Sequence, residues 1–190
     1  MEYICNPFQK HQIELCCSRD ELRPFINYIY FIDGIAYATN AHILLALSLS
    51  DIDADKELIK CLEGFKMHYS DMQMLNGYDR LFPAESGKLF LNYELTEILQ
   101  LHPLDYEDSE KKYQTIIDIF QKGKAELKTN ADAISKIKIG LYLMERLGKA
   151  VGTLNSARFN FLKNPNRVFL EFDNYKKSFA IIMPMKDDGQ

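Results

Sequence analysis

The sequence has little of several features that mark common classes of protein. Its 190 residues carry a net charge of −4, so any contact with nucleic acid has to come from a local basic stripe. The longest apolar run is far too short to span a bilayer, and the N-terminal residues lack the basic-then-apolar order of a signal peptide. These absences predict a cytoplasmic protein with no membrane contact.

Motifs that carry chemistry are scarce as well. The cysteines form no CxxC pair, and we expect them to be buried free thiols in a reducing compartment. The histidines stand singly, without metal-ligand spacing, and the acidic run at residues 105–110 lacks the pattern of a calcium loop. No phosphate-cradling glycine loop, nucleophile elbow or dinucleotide fingerprint is present. We therefore expect no cofactor and no metal.

The most regular stretch is residues 28–49. Two runs rich in Tyr, Ile and Phe meet at Asp33-Gly34, a dipeptide that closes tight hairpins. After this turn the large apolar residues fall on odd positions as far as Leu49, while even positions are mostly small or polar. This period of two predicts one long strand that packs a single face on a core. Antiparallel sheets with helices on one side have this pattern.

Other stretches predict the remaining elements. We expect a first strand at residues 11–18, a helix through residues 58–65 after cap residues at 50–55, and a helix at 70–82 that contains Asn76-Gly77 and stops at Pro83. A strand is predicted at 88–93, whereas 94–101 fits a helix or a strand. The strongest helical pattern runs from an Asn130 cap to Gly152, and strands follow at 157–162, 167–172 and 178–183.

These elements predict an α+β fold with a mainly antiparallel sheet and helices on one face. The order of elements suggests two pseudo-repeated halves, residues 1–104 and residues 105–190, that together form one compact domain. The acidic run at 105–110 is the best candidate for a linker or an exposed loop between them. A hydrophobic content of 47% is sufficient for such a core.

Several short strings, in this order along the chain, resemble the bacterial DNA sliding clamps, the beta subunits of DNA polymerase III. They are residues 22–24 (LRP), the hairpin at 28–34, residues 38–42 (ATNAH), residues 112–120, and the closing 180–185 (AIIMPM). The hairpin lacks the Asp, Gly and Arg of the family string ATDGHRLA, and the family's proline is missing near Tyr113. A clamp subunit has three such domains and closes a ring as a dimer. A ring of this shorter chain would need a higher homo-oligomer.

The resemblance implies that helices face double-stranded DNA and meet its phosphate backbone without reading its sequence. In the helix predicted at 131–151, Lys138, Tyr142, Arg146 and Lys149 fall in one polar stripe opposite the apolar face. Cations one turn apart suit phosphate contacts, because each neutralised phosphate releases counterions. The alternative is the ordinary solvated face of an amphipathic helix, and the residues alone favour that alternative.

The resemblance also implies a groove for short peptides of replication or repair proteins near the last strand. The residues that would border it are Leu170, Phe172, Met183, Pro184 and Met185. Methionine suits an adaptable binding surface, but it also fills ordinary cores. These residues are therefore either groove residues or core and edge-strand residues.

The function that follows is a non-enzymatic DNA sliding-clamp-like protein, acting as a processivity or adaptor module that contacts the DNA backbone. The alternative is a clamp-fold protein-interaction domain without ring closure or DNA binding. An enzyme ranks third. His42 lies on the polar face of the predicted strand without a Ser or Cys partner, and the resemblance gives it a place in the fold rather than in chemistry.

Overall fold

The computed structural model describes residues 2–104, 117–119, 121, 125, 139–152, 156–162 and 167–183. The α-helices are α1 (Lys56–Leu62), α2 (Tyr69–Leu75) and α3 (Leu141–Val151), and residues 117–119 are also helical. The strands are β1 (Ile4–Cys5), β2 (Tyr28–Ile32), β3 (Ile35–Thr39), β4 (Ile43–Ser48), β5 (Phe65–His68), β6 (Arg80–Ala84), β7 (Lys88–Phe90), β8 (Ile98–Gln100), β9 (His102–Pro103), β10 (Ala157–Leu162), β11 (Arg167–Phe172) and β12 (Phe179–Ile182). Short 3-10 helices cover Pro7–Lys10, Ile13–Cys16, Pro24–Asn27 and Leu49–Ile52.

The strands form two sheets. The larger has 8 strands in the order β10-β11-β12-β4-β3-β2-β5-β9, and the smaller has 4 in the order β1-β6-β7-β8. Every strand pair in the described residues is antiparallel. The predicted fold class, a mainly antiparallel α+β fold, is confirmed. The large sheet combines strands from residues 1–104 and 105–190, and the division into two pseudo-repeated halves stays a prediction.

The predicted hairpin at Asp33-Gly34 is confirmed. Asp33 and Gly34 have φ angles of 53° and 69°, the left-handed conformation that a two-residue hairpin turn requires. Their N–H groups donate to the two carboxylate oxygens of Glu63 at 2.8 and 3.0 Å. This carboxylate therefore ties the end of α1 to the turn between β2 and β3.

The prediction of one long strand after this hairpin is wrong. A second turn at residues 40–42 separates β3 from β4, and Ala41 in that turn has a φ of 73°. The Asn40 side-chain oxygen accepts hydrogen bonds from the N–H groups of His42 and Ile43, at 3.0 and 2.8 Å. Such a side-chain turn supplies partners that a straight strand would take from its neighbour. The chain reverses, and β4 pairs with β3.

Each face of the large sheet carries a buried cluster. Leu45 and Leu47 of β4 lie on one face in the main core, together with apolar residues of α1, α2 and α3. The other face, predicted to be small or polar, holds a second cluster that includes Tyr30, Phe169 and Ile117. The three labelled helices therefore share one side of the sheet, and the helical residues 117–119 pack against the second cluster on the opposite side.

The first strand predicted at residues 11–18 is wrong, because residues 13–16 form a 3-10 helix. Ile13, Cys16 and Cys17 are three and four positions apart and all lie in the main core. That spacing puts side chains on one side of a helical turn, whereas a strand would put Cys16 and Cys17 on opposite faces. Burial raises the pKa of Cys16 to about 12, so its thiol stays protonated at neutral pH.

The cysteines are free, as predicted. Cys16, Cys17 and Cys61 are buried, which confirms that part of the prediction. Cys5 is exposed at the start of the chain, so for this residue the prediction of burial is wrong.

The helix predicted through residues 58–65 ends at Leu62, because Gly64 has a positive φ and Phe65 begins β5. α1 begins after Asp55, whose carboxylate accepts from the Glu57 N–H at 2.8 Å, as the cap pattern predicted. The helix predicted at 70–82 ends at Leu75, just before Asn76-Gly77. Residues 80–84 of the predicted helix form β6 instead. The ambiguous segment at 94–101 contains strand β8. β7 and β10–β12 confirm the strands predicted at 88–93, 157–162, 167–172 and 178–183.

The helix predicted from Asn130 begins at Leu141 in the described part of the chain. Gly140 is extended, with φ −68° and ψ 124°, and forms the N-cap of α3. Glycine is a poor residue for a helix interior, which explains why a continuous helix through this position is not formed. Residues 126–138, and the predicted linker at 105–110, lie outside the described residues. Within the described ranges, no helix has the length and apolar character needed to cross a bilayer.

Candidate nucleic-acid interface

Helix α3 has one buried and one exposed face. Leu143, Leu147, Ala150 and Val151 are buried at 1% exposure or less, and the helix packs on the 3-10 helix Ile13–Cys16 and on β4. Burying such side chains stabilises the fold by about 1.5–3 kcal/mol for each leucine or valine. The packing fixes the helix on the sheet and determines which residues face solvent.

The end of α3 is held by two side chains from distant parts of the sequence. The Val151 carbonyl oxygen lies 3.0 Å from His11 Nδ1 and accepts a hydrogen bond of 2.8 Å from the Tyr175 hydroxyl. Since a carbonyl cannot donate, His11 Nδ1 carries the proton. These donors satisfy one of the carbonyls that every helix leaves unpaired at its C-terminus.

Gly152 follows the helix with a φ of 81°. A Cβ atom there would lie 3.0 Å from the Lys10 carbonyl oxygen and 3.0 Å from His11 Nδ1. The position therefore requires glycine for both its left-handed backbone and its close approach to the N-terminal segment. Burial lowers the pKa of His11, against the opposing effect of its bond to Val151.

The exposed face of α3 carries part of the predicted stripe. Tyr142, Arg146 and Lys149 are all exposed, and the Arg146 guanidinium lies 5.9 Å from the Tyr142 ring centre. Lys138 lies outside the described residues. The structure therefore brings three of the four predicted residues onto one solvent-facing surface.

A carboxylate that the sequence analysis passed over lies in the same stripe. Glu145 Oε1 is 2.7 Å from Lys149 Nζ, and the two side chains are 66% and 55% exposed. The Lys149 hydrogen bond lowers the pKa of Glu145. Glu-to-Lys spacing of four residues was visible in the sequence and indicates such a pair. Half of the predicted positive charge on α3 is thus offset.

An open polar cleft of about 890 Å³ lies beside the end of α3. Residues of the N-terminal segment 6–12, Asp51, Asp53 and Tyr175 line it together with Glu145 and Lys149. Asp51 has a structural role, because its carboxylate accepts three hydrogen bonds from residues 177 and 178 at 2.7–2.9 Å. No group of three or more metal-ligating side chains exists among the residues that the structure describes.

His42 lies in the turn between β3 and β4, not in a strand. Its side chain is exposed, and its carbonyl oxygen accepts a hydrogen bond of 2.9 Å from the Met183 N–H. Through this bond the turn is fastened to the end of β12. The observed role of His42 is part of the backbone framework.

The residues predicted to border a peptide groove fall into three groups. Leu170 and Phe172 are 0% and 2% exposed and belong to the main core, so their side chains do not reach the surface. Met183 is half-buried at the end of β12. Pro184 and Met185 lie outside the described residues. The groove near the last strand stays a prediction.

Solved structures of bacterial sliding clamps match this architecture. The DnaN sliding clamp (DNA polymerase III subunit beta) from Bartonella birtlesii, solved with bound griselimycin, matches with a TM-score of 0.52 and 13% identity over 97% of this chain and 65% of the clamp. The DNA polymerase sliding clamp from Pseudomonas aeruginosa matches with a TM-score of 0.51 and 11% identity over 97% of this chain and 66% of the clamp. The C. crescentus beta sliding clamp gives 0.51 and 11%, over 97% and 65%.

These similarities show that the chain has the sliding-clamp fold. The resemblance read from the short sequence strings is confirmed at that level. The chain spans only about 65% of the length of the clamps that it matches. No protein-family model matches the chain, and no curated protein matches it either.

Proposed function

We propose that this protein is a non-enzymatic, sliding-clamp-like protein that contacts the backbone of double-stranded DNA through the exposed face of α3. In this role it is a processivity or adaptor module, and it works as a homo-oligomer in the cytoplasm. The observation that carries the proposal is the position of Arg146 and Lys149 on the exposed side of a helix whose opposite side is packed in the core.

The geometry of α3 suits contact with a regular polyanion. Arg146 and Lys149 are three residues apart and therefore lie on neighbouring turns of one face. Phosphate contacts of this kind set position without reading sequence. A sliding protein needs contacts that are equivalent at every base pair, and backbone contacts meet that need.

The same geometry sets a limit on affinity. Lys149 already pairs with Glu145, and the chain as a whole carries a net charge of −4. Few phosphates are neutralised by each copy of the protein. We therefore expect weak, strongly salt-dependent binding that gains from several copies on one DNA.

The test compares duplex binding by fluorescence anisotropy at roughly 50 and 200 mM salt. The double variant Arg146→Gln/Lys149→Gln should bind more weakly and reduce the slope of log affinity against log salt by about two, because two phosphate contacts are lost. The control Lys56→Gln/Lys88→Gln removes the same charge from exposed positions of α1 and β7 and should keep the slope. Equal binding by both double variants would contradict the proposal.

The second candidate is a clamp-fold protein-interaction domain without ring closure or DNA binding. The ion pair between Glu145 and Lys149 favours it, because that pair is ordinary for a solvated helix face. Size-exclusion chromatography with light scattering separates the candidates. A strict monomer that does not bind duplex DNA at low salt would support the second candidate and reject the first.

For either candidate we propose that short peptides of replication or repair proteins bind near the end of β12. Met183, Pro184 and Met185 remain the residues proposed for this contact. Leu170 and Phe172 belong to β11, the neighbour of β12, and their side chains lie in the main core. Met183→Ser should weaken binding of such a peptide without changing the affinity for DNA.

A further inference from the structure

Four aromatic rings and two cations lie in contact along the β9 edge of the large sheet. We call this set the sheet-edge track, and it consists of Arg19, Tyr28, Lys66, His68, Tyr69 and His102. It lies on β2, β5, β9, the start of α2 and the loop between the 3-10 helices Ile13–Cys16 and Pro24–Asn27. None of these residues belongs to the α3 face or to the predicted peptide groove.

The strand register explains why part of the track shares one face of the sheet. Tyr28 lies opposite His68, and Lys66 lies opposite both Tyr30 and His102. Directly paired residues of antiparallel strands point to the same side. Tyr30 is buried on that side, whereas Tyr28, Lys66 and His68 are half-buried and His102 is exposed. The surface opens to solvent toward β9.

The ring of Tyr28 is the centre of the track. Its centroid lies 5.1 Å from that of His68 and 5.9 Å from that of His102, both in edge-on contacts. Lys66 Nζ lies 5.3 Å from the same ring centre, within the range of a cation–π contact. One aromatic ring thus joins two imidazoles and an ammonium group.

The track continues around the sheet edge to α2. The His68 ring lies 4.4 Å from that of Tyr69, and the Arg19 guanidinium lies 5.4 Å from the Tyr69 ring centre. Arg19 is exposed, and Tyr69 is half-buried. Each step between neighbours is therefore close enough for a continuous surface.

The charges of the track are available to an anion. Neither Arg19 nor Lys66 forms a salt bridge with any carboxylate in the described parts of the chain. Among the residues that the structure describes, three carboxylates lie near the Arg19 and His68 end: Asp20 follows Arg19 in the chain and pairs with Arg23, Arg19 acts on the Glu14 carboxyl at longer range, and Asp71 accepts from Ser70, which bonds His68. Of the two track cations, Lys66 is therefore the less compensated by described residues.

We propose that the sheet-edge track binds single-stranded nucleic acid. Such a strand alternates phosphates with flat bases, and proteins that bind it without sequence preference combine cations with stacking rings in this way. Bases would stack on the rings of Tyr28, Tyr69 and His102, while Arg19 and Lys66 contact phosphates. A duplex cannot bind in this mode because its bases are already stacked and paired. The inference is independent of duplex binding by α3.

The stacking component is tested with a labelled 20-nucleotide oligo-dT and with oligo-U and oligo-dU of equal length. Tyr28→Leu keeps an apolar side chain but removes the ring, and should weaken binding of the preferred strand about tenfold. Tyr28→Phe keeps the ring and should retain wild-type affinity. Binding of oligo-dT or of oligo-U supports the proposal, and the comparison of oligo-U with oligo-dU identifies the sugar that the site prefers. If neither Tyr28→Leu nor Tyr28→Phe weakens binding, the proposal is overturned.

The charge component is tested with variants at exposed or half-buried positions, so that folding is preserved. Arg19→Gln/Lys66→Gln should weaken single-strand binding and reduce its salt slope by about 1.4, because single strands release fewer counterions per contact. Lys56→Gln/Lys88→Gln is the matched control. A thermal melt of each variant confirms that it is folded. Equal weakening by track and control variants would count against the site.

Two further outcomes separate this inference from its rivals. Poly-glutamate should compete poorly with oligo-dT, and competition at equal charge concentration would identify an acidic peptide as the ligand and overturn the proposal. Arg146→Gln/Lys149→Gln should weaken duplex binding alone, whereas the track variants should weaken single-strand binding alone. A negative result for duplex binding by α3 therefore leaves the test of single-strand binding by the track intact, and the reverse also holds.

Discussion

The exposed face of α3 and the sheet-edge track both present cations to solvent, yet their surroundings differ. On α3, Lys149 is paired with Glu145 at 2.7 Å. On the track, Lys66 lies over the ring of Tyr28 instead of beside a carboxylate. A carboxylate cancels the charge that a phosphate would meet, whereas a ring leaves it in place. The immediate partner of a cation therefore matters more than the number of cations on a surface.

The largest expected effect tests whether α3 has one face packed in the core and one face open to solvent. Leu147→Ala should lower the free energy of unfolding by about 3 kcal/mol, because it leaves a cavity where a fully buried side chain was lost. Arg146→Ala, on the exposed face, should change it by less than about 0.5 kcal/mol. Urea unfolding of both variants measures the difference. Similar small losses for the two residues would mean that the two faces of α3 are not distinct.

An intermediate effect concerns the contact between His11 and the Val151 carbonyl at the end of α3. The sheet-edge track has no part in this contact. Burial lowers the pKa of His11, so the unfolded chain takes up a proton near pH 6.5 while the folded protein does so only at lower pH. The unfolded state binds more protons in that window, and stability should fall as the pH drops from above 6.5 toward the folded pKa. Urea unfolding between pH 7.5 and 5.5 measures this loss.

The matched variant for this prediction is His11→Asn, whose amide donates a hydrogen bond but does not titrate. The variant should lose less stability than the wild-type protein over the same pH range. An equal loss in both proteins would assign the pH dependence to groups other than His11. Glu14 would act in the opposite direction, because burial raises its pKa and the folded protein therefore gains stability from its protonation as the pH falls.

The smallest expected effect sharpens the difference between the two surfaces. Glu145→Gln removes the carboxylate beside Lys149, and should strengthen duplex binding at low salt by roughly threefold while leaving oligo-dT binding unchanged. Asp173→Asn, at another exposed acidic position, serves as the charge-matched control in the same anisotropy titrations. Equal gains for both variants would show that net charge, not the ion pair, controls binding.

Local signals in the sequence were sufficient for much of the fold. Asp33-Gly34 predicted the first hairpin because both residues tolerate positive φ. The cap residues at 50–55 predicted a helix start in that stretch, and Asp55 is the one that bonds a free N–H of the first turn. The runs that became β10, β11 and β12 were recognised from their composition. In each case the determining interaction lies within a few residues.

The predictions that failed depended on tertiary structure. The turn at residues 40–42 places Ala41, a residue uncommon in left-handed backbone, at a φ of 73°. Its stability comes from the side chain of Asn40 and from the pairing of β4 with β12. Similarly, the 3-10 helix at Ile13–Cys16 is held by packing on α3, and a local pattern of alternation could not reveal it.

The two surfaces also differ in whether local sequence signals or tertiary structure bring their residues together. The stripe on α3 was predictable, because its residues are one helical turn apart, and the pair between Glu145 and Lys149 was readable from the same period. The sheet-edge track joins residues from Arg19 to His102, and only the pairing of β2, β5 and β9 brings them together. No spacing rule relates them before the sheet order is known.

The most direct measurement titrates wild-type protein, Arg146→Gln/Lys149→Gln and Arg19→Gln/Lys66→Gln with a duplex and with oligo-dT under one low-salt condition. The account predicts that the α3 variant loses affinity for the duplex only and that the track variant loses affinity for oligo-dT only. Loss of both affinities in either variant, or no loss in either, would contradict two separate nucleic-acid surfaces on this fold.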